Sequence, residues 1–173
     1  STGGTEAIKE VLSNMSGQSP PIVVTLHMPP LFSRAYAERL NDCTPFTVHE
    51  AEDGMPLQPG HVYIAPGSEH LLVKQRDDLY VCRLDQSAPV SWHRPSVDVL
   101  LMSVAVNVGK HAIGVLLTGM GKDGAEGYRK QTDSLVINAS AFYSLQGQFQ
   151  ELNPDNFLIN NKQFSSNLHY NIL

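Results

Sequence analysis

Apolar positions along the chain follow two rhythms, and the elements they predict alternate. In "TEAIKEVLSN" (residues 5–14), Ile8, Val11 and Leu12 share one face of a helix that Thr5 would cap. "PPIVVTLHMPP" holds a continuous apolar run, Ile22 to Leu26, β-branched and closed by prolines. Such a run suits a strand covered on both faces, as in a parallel sheet. "LFSRAYAERLND" (31–42) reads as a second helix, with Leu31, Ala35 and Leu40 turned inward. Residues 46–86 then alternate short apolar stretches with the breakers "EDG", "QPG", "APG" and "RDD". They predict several short strands, with a hairpin from His70–Lys74 and Leu79–Leu84. "VDVLLMSVAVNVG" predicts an amphipathic helix that buries Val99, Leu100, Val104 and Val106 and stops at Gly109. Ile113–Leu117 predicts another buried strand, running into the glycine-rich turn "GMGKDGAEGYRK", which opens a helix.

Strands alternating with helices predict an α/β fold: three layers, with a mostly parallel, doubly wound sheet and an inserted β-hairpin. "SLVINASAFY" (134–143) can form one more strand. Beyond it the chain is rich in Asn, Gln and Ser and has no clean period.

Composition narrows the function. A chain of 173 residues is one domain's worth, and 42% hydrophobic with 17% charged residues is ordinary globular usage. A formal net charge of -5 argues against a nucleic-acid partner, which needs a basic field. No stretch approaches the roughly 20 apolar residues of a membrane span. No basic region leads an apolar run as in a secretory leader, so a cytoplasmic location is expected. Cys43 and Cys82 form no CxxC pair and read as reduced, structural thiols.

Open α/β sheets bind ligands beyond the carboxyl ends of their strands, over helix N-termini. Three stretches fall there: "STGG", "HMPP" and "TGMGKDGAEG". Each carries one residue of a nucleophilic triad: Ser1, His27 and Asp123. A serine needs a base within hydrogen-bond reach, and a carboxylate sets that base's tautomer. Glycine turns let backbone N–H groups approach an oxyanion. Individually, each stretch also fits a plain turn or helix cap. His49, His61, His70, His111 and His169 show no HExxH or HxH spacing, which argues against zinc. In "WHRPSVD", His93 and Arg94 precede a capping serine, Ser96. The stretch is either a helix entry or a cleft-lining loop whose Arg94 attracts an anionic segment.

"STGGTEAI", "HMPP", "FSRAYAERLN", "EAEDGMPLQPGHVYIAPG", "HRPSVDVL" and "GVLLTGMGKDGA" together resemble the catalytic domain of the chemotaxis protein-glutamate methylesterases, the CheB type. The resemblance runs from residue 1 to about residue 127. It implies a three-layer α/β fold with Ser1 as nucleophile, His27 as base and Asp123 as third member. Thr2 and Met120 would line the oxyanion region. The implied reaction is hydrolysis of glutamyl methyl esters, with deamidation of glutamines, on the cytoplasmic helices of methyl-accepting chemotaxis receptors. No cofactor and no metal are implied.

Relatives of this type carry an N-terminal phosphoacceptor regulatory domain, which is expected to be absent here. The family also places a buried strand before the serine. Residues 1–130 are therefore expected to be a catalytic domain lacking its first strand, and 131–173 a divergent C-terminal part. Leu26 stands where the family commonly has glutamine. The alternatives are an impaired fragment that only docks to receptors, or a phosphate-binding α/β module. The latter lacks GxGxxG and a Walker lysine.

Overall fold

The computed structural model describes residues 2–117, 121–124 and 127. Helix α1 (Thr2–Ser13) leads to strand β1 (Ile22–Val24), helix α2 (Pro30–Cys43), strand β2 (Thr47–Glu50) and strand β3 (His61–Ile64). Strands β4 (His70–Arg76) and β5 (Leu79–Asp85) follow, then helix α3 (Val97–Asn107) and a 3-10 turn, Gly109–His111. β1, β3 and β2 form a parallel sheet in that order, with Ile22 opposite Val62 and Thr47 opposite His61. β4 and β5 form an antiparallel pair of their own, with Arg76 opposite Leu79. The two-residue turn of that hairpin puts Asp77 in the left-handed region, φ 55.

Three layers result from the two-residue period of β3. Val62 and Ile64 face Ile8 and Leu12 of α1 and Tyr36, Ala37 and Leu40 of α2. Tyr63 faces the opposite way, into a second core with Leu71, Val73, Cys82, Leu100 and Val104. The hairpin and α3 therefore cover one face of the sheet, and α1 and α2 the other. The expected α/β architecture with a hairpin is present.

Five local expectations differ. α1 begins at Thr2, so Thr5 lies inside the helix rather than ahead of it. In α2, Leu31 is 89% exposed and Ala35 is also exposed, while Ser33, Tyr36, Ala37 and Leu40 are buried. Polar Ser33 sets that face: its hydroxyl donates to Glu50 at 2.6 Å and accepts the Gly67 N–H at 3.1 Å. In α3, Val106 is exposed, because Leu100, Ser103 and Val104 take the inward stripe. The Ile22–Leu26 run forms only a three-residue strand, half-buried, because β1 pairs with β3 alone among the described residues. Residues 112–116 form no ladder, and Ile113 and Val115 are exposed; an apolar run becomes a strand only beside a partner backbone. The helix expected after Gly124, the strand at 134–143 and the polar tail lie outside the described residues, Gly127 excepted.

Candidate active site

Three parallel strands end on the same side, and the polar residues gather there. The Ala65 N–H donates to the Val24 carbonyl at 2.8 Å, so the β1–β3 ladder runs to the last residue of β1. His27 follows three residues later, and Pro29 and Pro30 turn the chain into α2. The loop after β3 presses on this turn. A Cβ at Gly67 would stand 2.6 Å from Met28 O, Pro29 C and Pro30 N, so only glycine fits there.

His27 Nε2 meets Asp123 Oδ2 at 2.7 Å. The Asp123 side chain is 2% exposed and that of His27 is 32% exposed. Asp123 also sits on the N-terminus of α3. Its Oδ2 accepts the Val97 N–H at 2.8 Å, and its Oδ1 accepts the Asp98 N–H at 3.1 Å and the Ser96 hydroxyl at 2.6 Å. Burial pushes the carboxyl pKa upward. The donors Ser96, Val97, Asp98 and His27 outweigh burial and hold it below its ordinary value. The carboxylate is an acceptor, so a neutral His27 carries its proton on Nε2 and leaves the Nδ1 lone pair available as a base.

Two links brace this cradle. The Asp98 carboxylate accepts the Gly127 N–H at 2.6 Å, so α3 and the glycine-rich segment cap each other. The Ser96 N–H donates to Nδ1 of His70, whose Nε2–H donates to the Ala88 carbonyl at 3.2 Å. His70 is wholly buried, and both ring nitrogens are spent on structure.

The segment before α3 covers the other side of His27. The His93 ring stacks on the His27 ring, with centroids 3.8 Å apart and planes 8° from parallel. Val90 and His93 exchange backbone hydrogen bonds of 3.0 and 2.9 Å across Ser91 (φ 50) and Trp92 (φ 66). Both central residues are left-handed, as a type I′ turn requires. The helix-entry reading of "WHRPSVD" is seen in Ser96, which caps α3, and His93 of the same stretch lies against His27. Arg94, expected to line the substrate cleft, donates to the Gln86 and Ser87 carbonyls at 2.9 and 3.1 Å. Ser1 and Met120 lie outside the described residues, and Thr2 is described only as the first residue of α1.

Nitrogens of His27 and His93 and a carboxylate oxygen of Asp123 lie within 4.8 Å of one another, the residue types of a metal site. The fit is poor. Ring lone pairs lie in the ring planes, so two stacked imidazoles direct them in parallel rather than at one point. Asp123 is also filled by four donors. An imidazole backed by a buried carboxylate is instead an arrangement suited to general acid–base chemistry.

The sequence profile of the CheB methylesterase family matches residues 1–138. The chain belongs to the CheB methylesterase family. It is 53% identical over 130 residues to a protein-glutamate methylesterase/protein-glutamine glutaminase of Hydrogenovibrio crunogenus, covering 75% of this chain and 35% of that protein. A protein of the same name from Methylobacillus flagellatus is 54% identical over 138 residues, covering 80% of this chain and 39% of the relative. The chain thus spans little more than a third of these relatives' length. The crystal structure of the Thermotoga maritima CheB methylesterase catalytic domain superposes with a TM-score of 0.75 at 41% identity, covering 78% of this chain and 73% of that one. Within this CheB fold, sequence reasoning put His27 and Asp123 at strand ends. It named His93 only as part of a helix-entry or cleft-lining stretch, missed Asp98 and saw Ser96 only as a cap, because their contacts depend on what the fold brings against them.

Proposed function

We propose that this chain is a serine hydrolase that cleaves glutamyl methyl esters, and deamidates glutamines, on the cytoplasmic helices of chemoreceptors. Ser1, His27 and Asp123 form its triad, and residues 1–130 are its catalytic unit. One observation carries the proposal: a half-exposed histidine hydrogen-bonded at 2.7 Å to a buried carboxylate that a helix N-terminus keeps ionised. The relatives named above for this activity add to it. Among the described residues no helix is long and apolar enough to cross a membrane, which accords with work in the cytoplasm on the receptors' soluble portion.

In the proposed reaction, His27 Nδ1 takes the Ser1 hydroxyl proton as Ser1 Oγ attacks the side-chain carbonyl carbon. Backbone N–H groups near Thr2, at the start of α1, and near Met120 hold the oxyanion. The intermediate collapses, and methanol leaves with the proton from His27, or ammonia does in the glutamine case. Water then gives a proton to His27 and attacks the acyl-enzyme. Ser1 regains the proton and glutamate is released. Asp123 stays ionised and steadies the imidazolium. The proposed partners are receptor helices and, as in relatives of this type, a phosphoacceptor regulatory domain.

Methanol release from a methyl-esterified receptor fragment tests the proposal. Ser1→Ala or His27→Ala in the full chain is expected to lower turnover by about 10⁴-fold or more. A fluorophosphonate probe is expected to label Ser1. Unchanged turnover in either variant overturns the triad.

A further inference from the structure

We infer that His93 is a positioning residue for His27. Its ring holds the plane of the His27 imidazole, so that Nε2 stays on Asp123 while Nδ1 faces the nucleophile. The inference deepens the proposed function and rests on His27 being the base.

One hydrogen bond leaves an imidazole free to rock about the bonded atom, and the terminal torsion of histidine is broad. The flat ring of His93, 3.8 Å away and 8° from parallel, blocks that motion on one face. His93 meets His27 by stacking, and its Nδ1 is buried with no hydrogen-bond partner among the described residues. His93 touches His27 through its surface.

The backbone has been strained to place it there. Ser91 and Trp92 both sit in the left-handed region, which costs an L-residue roughly 1–2 kcal/mol. Trp92 is 98% exposed, so burying its side chain does not offset the strain. A conformation of this kind persists where its surroundings enforce it, and such strain gathers at functional sites. Here the turn delivers His93, and the following residues anchor it: Arg94 is tied to two carbonyls, and Pro95 is fully buried. Ser96, Val97 and Asp98 then grip Asp123. One short segment, 90–98, thus holds both members of the His27–Asp123 pair.

The test uses the full chain with three substitutions. His93→Ala removes the ring, His93→Phe keeps a flat ring without titratable nitrogens, and His27→Ala is the reference. His93→Ala is expected to lower kcat for glutamyl methyl ester hydrolysis about 10- to 100-fold, the scale of a 1 Å misplacement, with KM within about twofold. His93→Phe is expected to recover most of that loss. The downfield proton signal of the His27–Asp123 hydrogen bond, assigned by its disappearance in His27→Ala, is expected to stay sharp in His93→Phe and to broaden in His93→Ala. Thermal unfolding confirms that each variant is folded. If His93→Ala does not fold, loss of the signal in a folded His93→Phe overturns the inference. So does a folded His93→Ala with unchanged kcat and a sharp signal, or a Phe variant no better than Ala. Turnover that survives in His27→Ala overturns the triad instead, and the proton signal then judges His93 independently of activity.

Discussion

Asp123 is held in place chiefly by residues that do no chemistry. Ser96 is the strongest case, because one buried hydroxyl both caps α3 and donates to the carboxylate at 2.6 Å. Ser96→Ala is expected to cost about 2 kcal/mol, from the lost cap and the lost bond to a charged group. It should also move the pH dependence in a defined direction. The native carboxyl pKa lies below its unfolded value, so Asp123 adds stability above the unfolded pKa and loses it as pH falls through the native one. Removing a donor raises the native pKa. The acid loss of stability, which sets in at the unfolded pKa, should then be smaller and be complete at a higher pH, as read from urea midpoints across a pH series. Acid limbs that superimpose would show that Ser96 does not tune Asp123. At this scale the sequence was half legible. His27 could be placed because ligand sites gather at strand ends in an α/β sheet, and Asp123 meets it although residues 112–116 form no ladder. The stack of His93 on His27 and the bond that the Gly127 N–H donates to Asp98 join residues with no sequence spacing that signals contact.

The elements most visible in the sequence were those whose partners lie close along the chain. The β4–β5 hairpin and the α3 start at Ser96 follow from alternation, turn residues and a capping serine. The inward face of α2 was not visible, because polar Ser33 is chosen by Glu50 and Gly67 from other elements. Counting apolar residues favoured Leu31, which the fold leaves exposed. Gly67 tests how tightly these elements are locked. Its missing side chain lets the loop after β3 lie against the Met28–Pro30 backbone, at a spacing no Cβ tolerates. Gly67→Ala is expected to destabilise the protein by about 1–3 kcal/mol, as overpacking does. Because the displaced backbone carries His27, turnover should fall in the folded protein as well. Chemical denaturation and ester hydrolysis measured together check this. A variant as stable as the parent would mean that the two loops are not in register as described.

At the scale of the whole molecule, the parallel sheet separates two cores, and the site draws on both sides. His27 extends from a sheet strand, while Asp123 and His93 depend on α3 and its entry, in the layer that covers the second core. Loosening of that layer should therefore precede or accompany loss of the site, and Cys82 reports on it. It is wholly buried in β5, and burial, with the charge of Asp53 adding, pushes its thiol from an ordinary 9.0 to about 12. Only the thiolate reacts, so Cys82 is protected twice, by access and by protonation. Cys43, at the exposed end of α2, has no such shelter. A disulfide reagent at neutral pH is expected to modify one thiol quickly and the second only as fast as the hairpin layer opens, with urea accelerating the second. The same shift has an alkaline consequence. Above about pH 9 the unfolded chain loses a proton that the folded chain keeps, so stability should decline as pH rises from there toward about 12. Esterase activity lost in step with Cys82 labelling would show that the hairpin–α3 layer governs the site. Two thiols reacting equally fast in native buffer would show that this layer does not close over Cys82.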